Sequence, residues 1–355
     1  MVNYKLDKTI KPSLIYLALT VGLIAALAFS LGMGAMEIPV KDVLLILVKK
    51  TGLIAKQELS PQYITVINIV RLPRVVLGVL VGAGLGISGA AVQGIFRNPL
   101  AEPGLIGISA GASLMAVAII ALEIGLLSGL SNLLGYYLLA FGAFAGAGVA
   151  AMLVYQIART DGRPNVATML LAGIAINALA GALTGLITYL ASEQQLRNIT
   201  FWMLGSLGGA TWETVTALLP FVLVPVLVLP FMGKALNAFA LGEAQADHLG
   251  LNINRVKRNV VILATMAVGA SVAVSGIIGF VGLLVPHTIR LFIGVDNKYV
   301  LPASALLGAL ILTLADMIAR TVISPVELPI GVITALLGTP LFLYILIKDK
   351  KKLLQ

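Results

Sequence analysis

The sequence predicts an all-α integral membrane protein with ten transmembrane helices, folded as a single domain over residues 1–355. Its composition and the spacing of its apolar residues lead to this prediction. Of the 355 residues, 59% are hydrophobic and 11% are charged, which is too little charge for the surface of a soluble protein of this length. Runs of apolar residues recur along the whole chain. Cysteine is absent, which excludes disulfides, thiolate metal sites and cysteine nucleophiles.

The predicted spans are apolar runs close to the length of about 20 residues that a helix needs to cross the hydrocarbon core. They lie at 14–36, 64–96, 112–128, 134–158, 166–191, 212–232, 257–278, 281–293, 300–321 and 329–348. The run at 281–293 is too short to cross unaided, so it has to be buried in protein or face water. Three lysines precede the first run, as in a signal peptide, but no clear small-residue cleavage site follows. We therefore predict that this run is a transmembrane helix.

The positions of the basic residues predict that both termini lie in the cytoplasm. An even number of spans places the two termini on the same side of the membrane. If that side is the cytoplasm, the cytoplasmic segments contain most of the lysines and arginines, as the positive-inside rule requires. These residues are Lys5, Lys8, Lys11, Arg97, Arg159, Arg163, Lys234, Arg255, Lys257, Arg258, Arg290, Lys298, Lys348, Lys350, Lys351 and Lys352. Membrane topology thus explains the net charge of +9, and no nucleic-acid binding is predicted.

Small residues recur every four positions along two of the predicted spans. Because lipid provides little hydrophobic drive between helices, close backbone approach at small residues supplies much of their association. We interpret most of these positions as packing seams. They are Gly78, Gly82, Gly86, Ala90 and Gly94 in the second span, and Gly173, Asn177, Gly181 and Gly185 in the fifth. The polar member, Asn177, either bonds a neighbouring helix or lines a pathway through the membrane.

The cytoplasmic segment 241–256 has the pattern of two short helices. An acid in the first turn of the first helix complements the helix dipole, and a glycine fits its C-terminal stop. The residues of this pattern are Gly242, Glu243, Ala244, Ala246, Leu249 and Gly250. Asn252 or Asn254 caps the second helix, which leads into Arg255 and Lys257. Two rigid helices at the membrane surface would form a knob that fits a groove on a partner protein; an ordinary surface loop is the alternative.

Three arginines stand at the outer ends of predicted spans, against the charge bias: Arg71, Arg74 and Arg320. Such charges are costly near lipid unless they are paired or face water. Asp316 lies four residues before Arg320 and is its expected partner within one helix. Arg71 and Arg74 have no acid nearby in sequence, so an outward cluster suited to docking carboxylates is predicted. Replacing both by glutamate is expected to weaken docking and to leave the fold intact.

The stretch 97–112 contains two prolines and several glycines that break any helix, so it should be held in protein or at an aqueous mouth. Its glycines form no phosphate-binding loop, because the string Gly-x-x-x-x-Gly-Lys-Ser/Thr occurs nowhere in the chain. The two histidines, His248 and His287, are far apart in sequence, and neither a metal site nor a catalytic cluster is predicted. A nucleotide-driven pump would therefore need its hydrolytic site on another chain.

From about Ile69 to the C-terminus, the sequence closely resembles the FecCD-like family of ABC permeases, which serve siderophore, haem and cobalamin import. Several long strings in the right order carry this resemblance, which makes it more specific than a lone short motif. The strings are residues 71–74 (Arg-Leu-Pro-Arg), 88–94, 98–104, 279–290 and 327–340. The N-terminal sixty residues match only as a generic first span and outer loop.

The resemblance implies a ten-helix, type II ABC importer permease that works as a homodimer in a bacterial or archaeal cytoplasmic membrane. It implies two cytoplasmic ATPase subunits, which bind the ATP and Mg²⁺, an external substrate-binding protein, and no cofactor on this chain. Segment 241–256 matches the position of the coupling helices. Arg71, Arg74 and Arg320 match the arginines that pair with glutamates on the binding protein. The fifth span and Gln194–Leu207 would line and gate the pathway.

Two other function classes remain as alternatives. An ion-coupled secondary transporter would use charged membrane residues as ion relays, and Asp316 is the residue that favours it. A membrane enzyme is poorly supported, because no nucleophile–base or metal constellation is visible. Uptake that depends on ATP separates the first alternative from the ABC permease. The sequence does not distinguish a ferric siderophore from haem or cobalamin as the cargo.

Overall fold

A computed structural model describes residues 10–34, 36–50, 60–122, 129, 136–160 and 163–353. Lys5 and Lys8 lie outside the described residues. The helices are α1 Pro12–Gly32, α2 Val40–Lys50, α3 Pro61–Thr65, α4 Leu72–Phe96, α5 Ile108–Leu122, α6 Tyr136–Ile157, α7 Val166–Leu190, α8 Glu193–Leu204, α9 Trp212–Val228, α10 Gly233–Ala240, α11 Glu243–His248, α12 Ile253–Ser275, α13 Val281–Ile293, α14 Asn297–Thr321 and α15 Ile330–Leu353. The predicted all-α class is confirmed.

Short irregular pieces interrupt this helical pattern. A π-helical segment, Val66–Arg71, joins α3 to α4, and 3₁₀ turns cover Pro103–Ile106 and Leu229–Met232. The only strands in the described part of the chain are Arg159–Thr160 and Arg163–Pro164, which pair antiparallel between α6 and α7.

Among the described residues, seven helical stretches are long and apolar enough to cross a membrane. Three shorter apolar helices, Ile108–Leu122, Val281–Ile293 and Ile330–Tyr344, match three further predicted spans. The count of ten spans therefore stays a prediction, because the shorter helices fall below the length for an unaided crossing. Two other helices, α2 and α8, fall on segments for which the sequence predicts no span, because their residues are more polar.

The second predicted span, α4, lies at the centre of the bundle and packs against α9, α12, α13 and α14. Its predicted packing seam is confirmed. A Cβ at Gly82 would overlap the backbone of Gly308, and one at Gly86 would overlap the Ser304 carbonyl oxygen, both on α14. Only glycine lets these two backbones approach so closely.

The second predicted seam, along α7, is only partly confirmed. Gly173 lies against the Leu105 carbonyl oxygen, so glycine is required there. Gly181 and Gly185 face open space, with nothing within 4 Å of an added Cβ. The face that carries these two glycines is uncovered in the described residues, whereas Ala180 and Thr184 in the same half of α7 are buried.

We name the two ends of the helical bundle after the residues found there, as the arginine end and the terminal end. At the arginine end, the last residues of α1 and α14 meet Arg71 and Arg74 at the start of α4. At the opposite end, which we call the terminal end, lie the first turn of α1 and the last turn of α13, joined by the bond from Ile10 N to Phe292 O. The final helix, α15, begins near the arginine end, so both ends of the described chain lie towards the terminal end.

Candidate functional site

The three arginines singled out in the sequence converge at the arginine end, together with Asp316 and Glu327. We call these five residues the arginine cluster. Arg71 and Arg320 both lie against Gly34, and Asp316 bridges Arg74 and Arg320. Arg71, Arg74 and Arg320 are 5%, 7% and 6% exposed, so the three arginines are buried in the isolated chain.

Arg74 is bound by two carboxylates, one buried and one half-exposed. Its Nε and Nη2 donate to Asp316 Oδ1 at 3.0 and 2.9 Å, and the Asp316 side chain is 4% exposed. Its Nη1 donates to both Glu327 oxygens at 2.8 and 2.9 Å, and the Glu327 side chain is 45% exposed. Arg74 therefore joins α4 to α14 through a buried pair, and to the connection before α15 through a half-exposed one.

The other two arginines bind the end of α1. Arg71 donates to the carbonyl oxygens of Leu31 and Met36. Arg320 donates to Ser30 Oγ at 2.6 Å and to the carbonyl oxygens of Ser30 and Met33. Its Nε also pairs with Asp316 Oδ2 at 3.1 Å, which is the pair expected within α14.

This geometry changes one expectation from the sequence. We expected that glutamate at Arg71 and Arg74 would leave the fold intact, as it does at exposed positions. Both guanidiniums are buried and satisfy groups on other helices, and reversing their charge would leave those groups unpaired. A docking role for Arg71, Arg74 and Arg320 stays a prediction, and milder substitutions are needed to test it.

At the terminal end, segment 241–256 forms one short helix rather than two. Gly242, with φ of 119°, precedes α11, and Gly250, with φ of 80°, follows it, so each glycine takes a conformation that side chains disfavour. Ala246 is fully buried, whereas Leu249 is 64% exposed. Asn252 caps the next helix through its bond from Arg255 N, but that helix is the long α12, because apolar residues continue without a break.

Lys257 ties this segment to the rest of the bundle. Its side chain is 1% exposed, although lysine is rarely buried without a partner. Its Nζ donates to Glu243 Oε2 at 2.8 Å and to the Pro164 carbonyl oxygen at 2.7 Å. A single ammonium group thus joins the first turn of α11, the first turns of α12 and the connection that leads into α7.

Asn177 bonds the irregular stretch between α4 and α5. Its Nδ2 donates to the Gly104 carbonyl oxygen at 3.1 Å, so the amide links α7 to the 3₁₀ turn there. Burial of Glu102, beside the same turn, raises the pKa of its carboxyl above the ordinary value, because loss of water disfavours the charged form. From Ala101 onward the stretch is buried or half-buried in protein, whereas Arg97, Pro99 and Leu100 are exposed. A pathway role for Asn177 stays a prediction.

The histidines are not brought together into a site. His248 ends α11, and His287 is buried on α13. Within the described ranges, no three His, Cys, Asp or Glu side chains are grouped so that they could hold a metal ion.

Comparison with known proteins identifies the family. A model of the FecCD transport family matches residues 22–348. The chain belongs to this family. It is 44% identical over 283 residues to the hemin transport system permease protein HmuU of Yersinia pestis, covering 80% of this chain and 83% of that protein. It is 43% identical over 281 residues to the cobalamin import system permease protein BtuC of Halobacterium salinarum, covering 79% and 73%.

The fold of this chain is also found among solved structures. An inward-facing conformation of a metal-chelate type ABC transporter superposes with a TM-score of 0.81 at 30% identity, covering 95% of this chain and 99% of that one. The resemblance drawn from the sequence strings is therefore confirmed over nearly the whole chain.

Sequence reasoning missed two residues that hold these sites together, Glu327 and Lys257. Glu327 falls in a string that carries the resemblance, but nothing in the sequence pairs it with Arg74, 253 positions away. Lys257 was counted among the cytoplasmic charges, and only the apolar residues around it, such as Val256 and Val260, point to burial.

Proposed function

We propose that this FecCD-family chain is the transmembrane permease subunit of an ATP-driven ABC importer for an iron chelate, haem or cobalamin. The observation that carries the proposal is the family match over residues 22–348, together with relatives named as permeases of hemin and cobalamin transport. ATP and Mg²⁺ belong to a separate ATPase in this proposal. The chain performs no chemistry of its own and supplies the pathway.

The proposed orientation places both termini in the cytoplasm and the arginine end outside the cytoplasmic membrane of a bacterium or archaeon. The basic side chains support it, since Lys234, Arg255 and Arg258 all lie towards the terminal end, near segment 241–256. A substrate-binding protein then meets the arginine end, and the ATPases meet the terminal end.

The proposed ATPase contact is the surface of segment 241–256. Buried Ala246 anchors α11, while Leu241 and Leu249 are 63% and 64% exposed on either side of it. Apolar side chains that flank a short helix, next to charged residues, suit insertion into a partner's groove. Glu243 lies in the first turn of this helix and is held by Lys257, which fixes its position.

The proposed dimer and pathway involve α7. Apolar residues on one side of this helix are exposed in the single chain, among them Leu171, Ile174, Tyr189 and Leu190. A second copy of the chain would cover such a surface, and Asn177 on the same helix would hold α7 against the 3₁₀ turn at Gly104. Residues 194–207, most of which form α8, follow this helix and are the proposed gate.

Uptake by the reconstituted complex tests this function. We expect proteoliposomes with the permease, its ATPase and the external binding protein to accumulate one of three cargoes: a ferric chelate, haem or cobalamin. Accumulation should require ATP and the binding protein, and an ATPase variant that lacks the phosphate-binding lysine is the control. Uptake driven by a proton or sodium gradient without ATP would show a secondary transporter instead.

The substitution Leu249→Asp tests the ATPase contact. The side chain is mostly exposed, so we expect the permease to fold normally but to lose the ATPase during co-purification, by about tenfold in yield. Val295→Asp is the control, because Val295 is 61% exposed in a connection at the same end. Equal retention of the ATPase by both variants would contradict the proposed contact.

A further inference from the structure

We propose that Glu327 is an internal substitute for a carboxylate of the docking protein, and that an acidic surface of that protein displaces it from Arg74. This inference rests on the proposed docking at the arginine end. It adds that docking is an exchange of carboxylates rather than an encounter with free arginines.

The two carboxylates that bind Arg74 differ in burial and in the number of their arginine partners. Asp316 is buried, contacts two arginines and lies within α14, so removing it would leave buried Arg320 without a carboxylate and Arg74 with Glu327 alone. Glu327 is half-exposed, and Arg74 is its one ion-pair partner among the described residues. Because the Glu327 side chain is half-exposed, a carboxylate from outside can reach its place on Arg74, and the guanidinium stays paired throughout the exchange.

The charge of the arginine cluster favours such a competitor. Three guanidiniums face two carboxylates, which leaves one positive charge in excess within the arginine cluster. Guanidinium groups form strong hydrogen bonds with carboxylates, and Arg74 Nη1 already lies within hydrogen-bond distance of both Glu327 oxygens. A carboxylate from outside would take over these contacts as Glu327 leaves.

Release of Glu327 would affect two neighbouring connections of the permease. Its Oε2 lies beside Gly208, in the connection between α8 and α9. The next residues bond two other elements, from Leu328 N to the Ala319 oxygen and from Ile330 N to the Gly205 oxygen. When Glu327 leaves Arg74, the start of α15 and the residues that follow α8 lose the ion pair that connects them to α4 at the centre of the bundle.

The first test compares the affinity for the binding protein of two variants, each of which replaces one acidic side chain by a neutral one. We expect Glu327→Gln to raise the affinity of the reconstituted transporter for its binding protein by about fivefold, because Arg74 no longer has to be released from an internal carboxylate. The control is Glu213→Gln, which removes an equal charge from an exposed acid in the first turn of α9, at the same end. An affinity for Glu327→Gln no higher than that of the control would overturn the inference.

The second test follows the segment itself. Because the chain contains no cysteine, Val326→Cys provides a single position for a nitroxide label beside Glu327. We expect the label to become more mobile when the binding protein docks, whereas a label at Ile69→Cys, equally exposed, should not. A label at position 326 whose mobility stays constant or falls would also overturn the inference.

These outcomes are separable from those of the proposed function. If the wild-type complex binds no binding protein and shows no ATP-driven uptake, the proposed function fails and the inference with it. If the wild type takes up cargo with ATP, but both tests at Glu327 give the contrary result, only the exchange of carboxylates is excluded.

Discussion

Replacement of Gly82 by alanine is expected to prevent accumulation of the folded permease. The new Cβ would overlap the carbonyl group of Gly308 and crowd the Ala309 Cα, and these are backbone atoms that cannot rotate away. Overpacking of this kind costs about 3 kcal/mol, which is a large share of the stability of a folded domain. The measurements are the yield of monodisperse protein in size-exclusion chromatography and the Tm of the purified protein.

Gly148→Ala on α6 is the matched control for this experiment. Its Cβ would have no neighbour within 4 Å, and alanine favours a helix interior over glycine by up to about 1 kcal/mol. We therefore expect unchanged yield and an equal or higher Tm. If Gly82→Ala had the Tm of this control, α4 and α14 would not be packed as closely as described.

The substitution Lys257→Met should uncouple ATP hydrolysis from uptake. Methionine has nearly the same length but cannot bond Glu243 or the Pro164 carbonyl, so α11 would no longer be tied to α12 and α7. We expect the number of cargo molecules transported per ATP to fall by roughly tenfold, as loss of about 1.4 kcal/mol of coupling free energy predicts. ATP hydrolysis itself should continue, because the ATPase carries that chemistry.

Two comparisons show whether the effect arises from these bonds. Arg258→Met, at the exposed neighbouring position, should leave the transport ratio unchanged. Lys257→Arg should restore part of it, since a guanidinium can still donate to both acceptors. Simultaneous loss of ATPase binding in Lys257→Met would instead indicate that α11 had unfolded.

The helical spans and the packing seam of α4 followed from the sequence because both depend on local patterns. Apolar runs of fixed length predict spans, and glycines four residues apart predict a face, as Gly82 and Gly86 show. The helix that packs against such a face cannot be predicted from the same pattern. Nothing in the sequence indicates that Gly82 meets Gly308, because the pairing depends on how the helices assemble.

The charged contacts were predicted where they are local and missed where they are not. The pair of Asp316 and Arg320 follows from a spacing of four residues. The bonds of Arg74 to Glu327 and of Lys257 to Pro164 join residues 253 and 93 positions apart, so only the three-dimensional arrangement reveals them. The changed expectation for glutamate at Arg71 and Arg74 has this same origin.

The π-helical segment Val66–Arg71 sets the rotational register of the helix that contains it. One extra residue in a helical turn rotates everything on one side of it by about 100° relative to the other side. Arg71 ends this wide turn and binds α1, whereas Arg74 binds α14. Deletion of a single residue from this turn would rotate residues 61–66 away from their present neighbours, although the span would lose only that one residue.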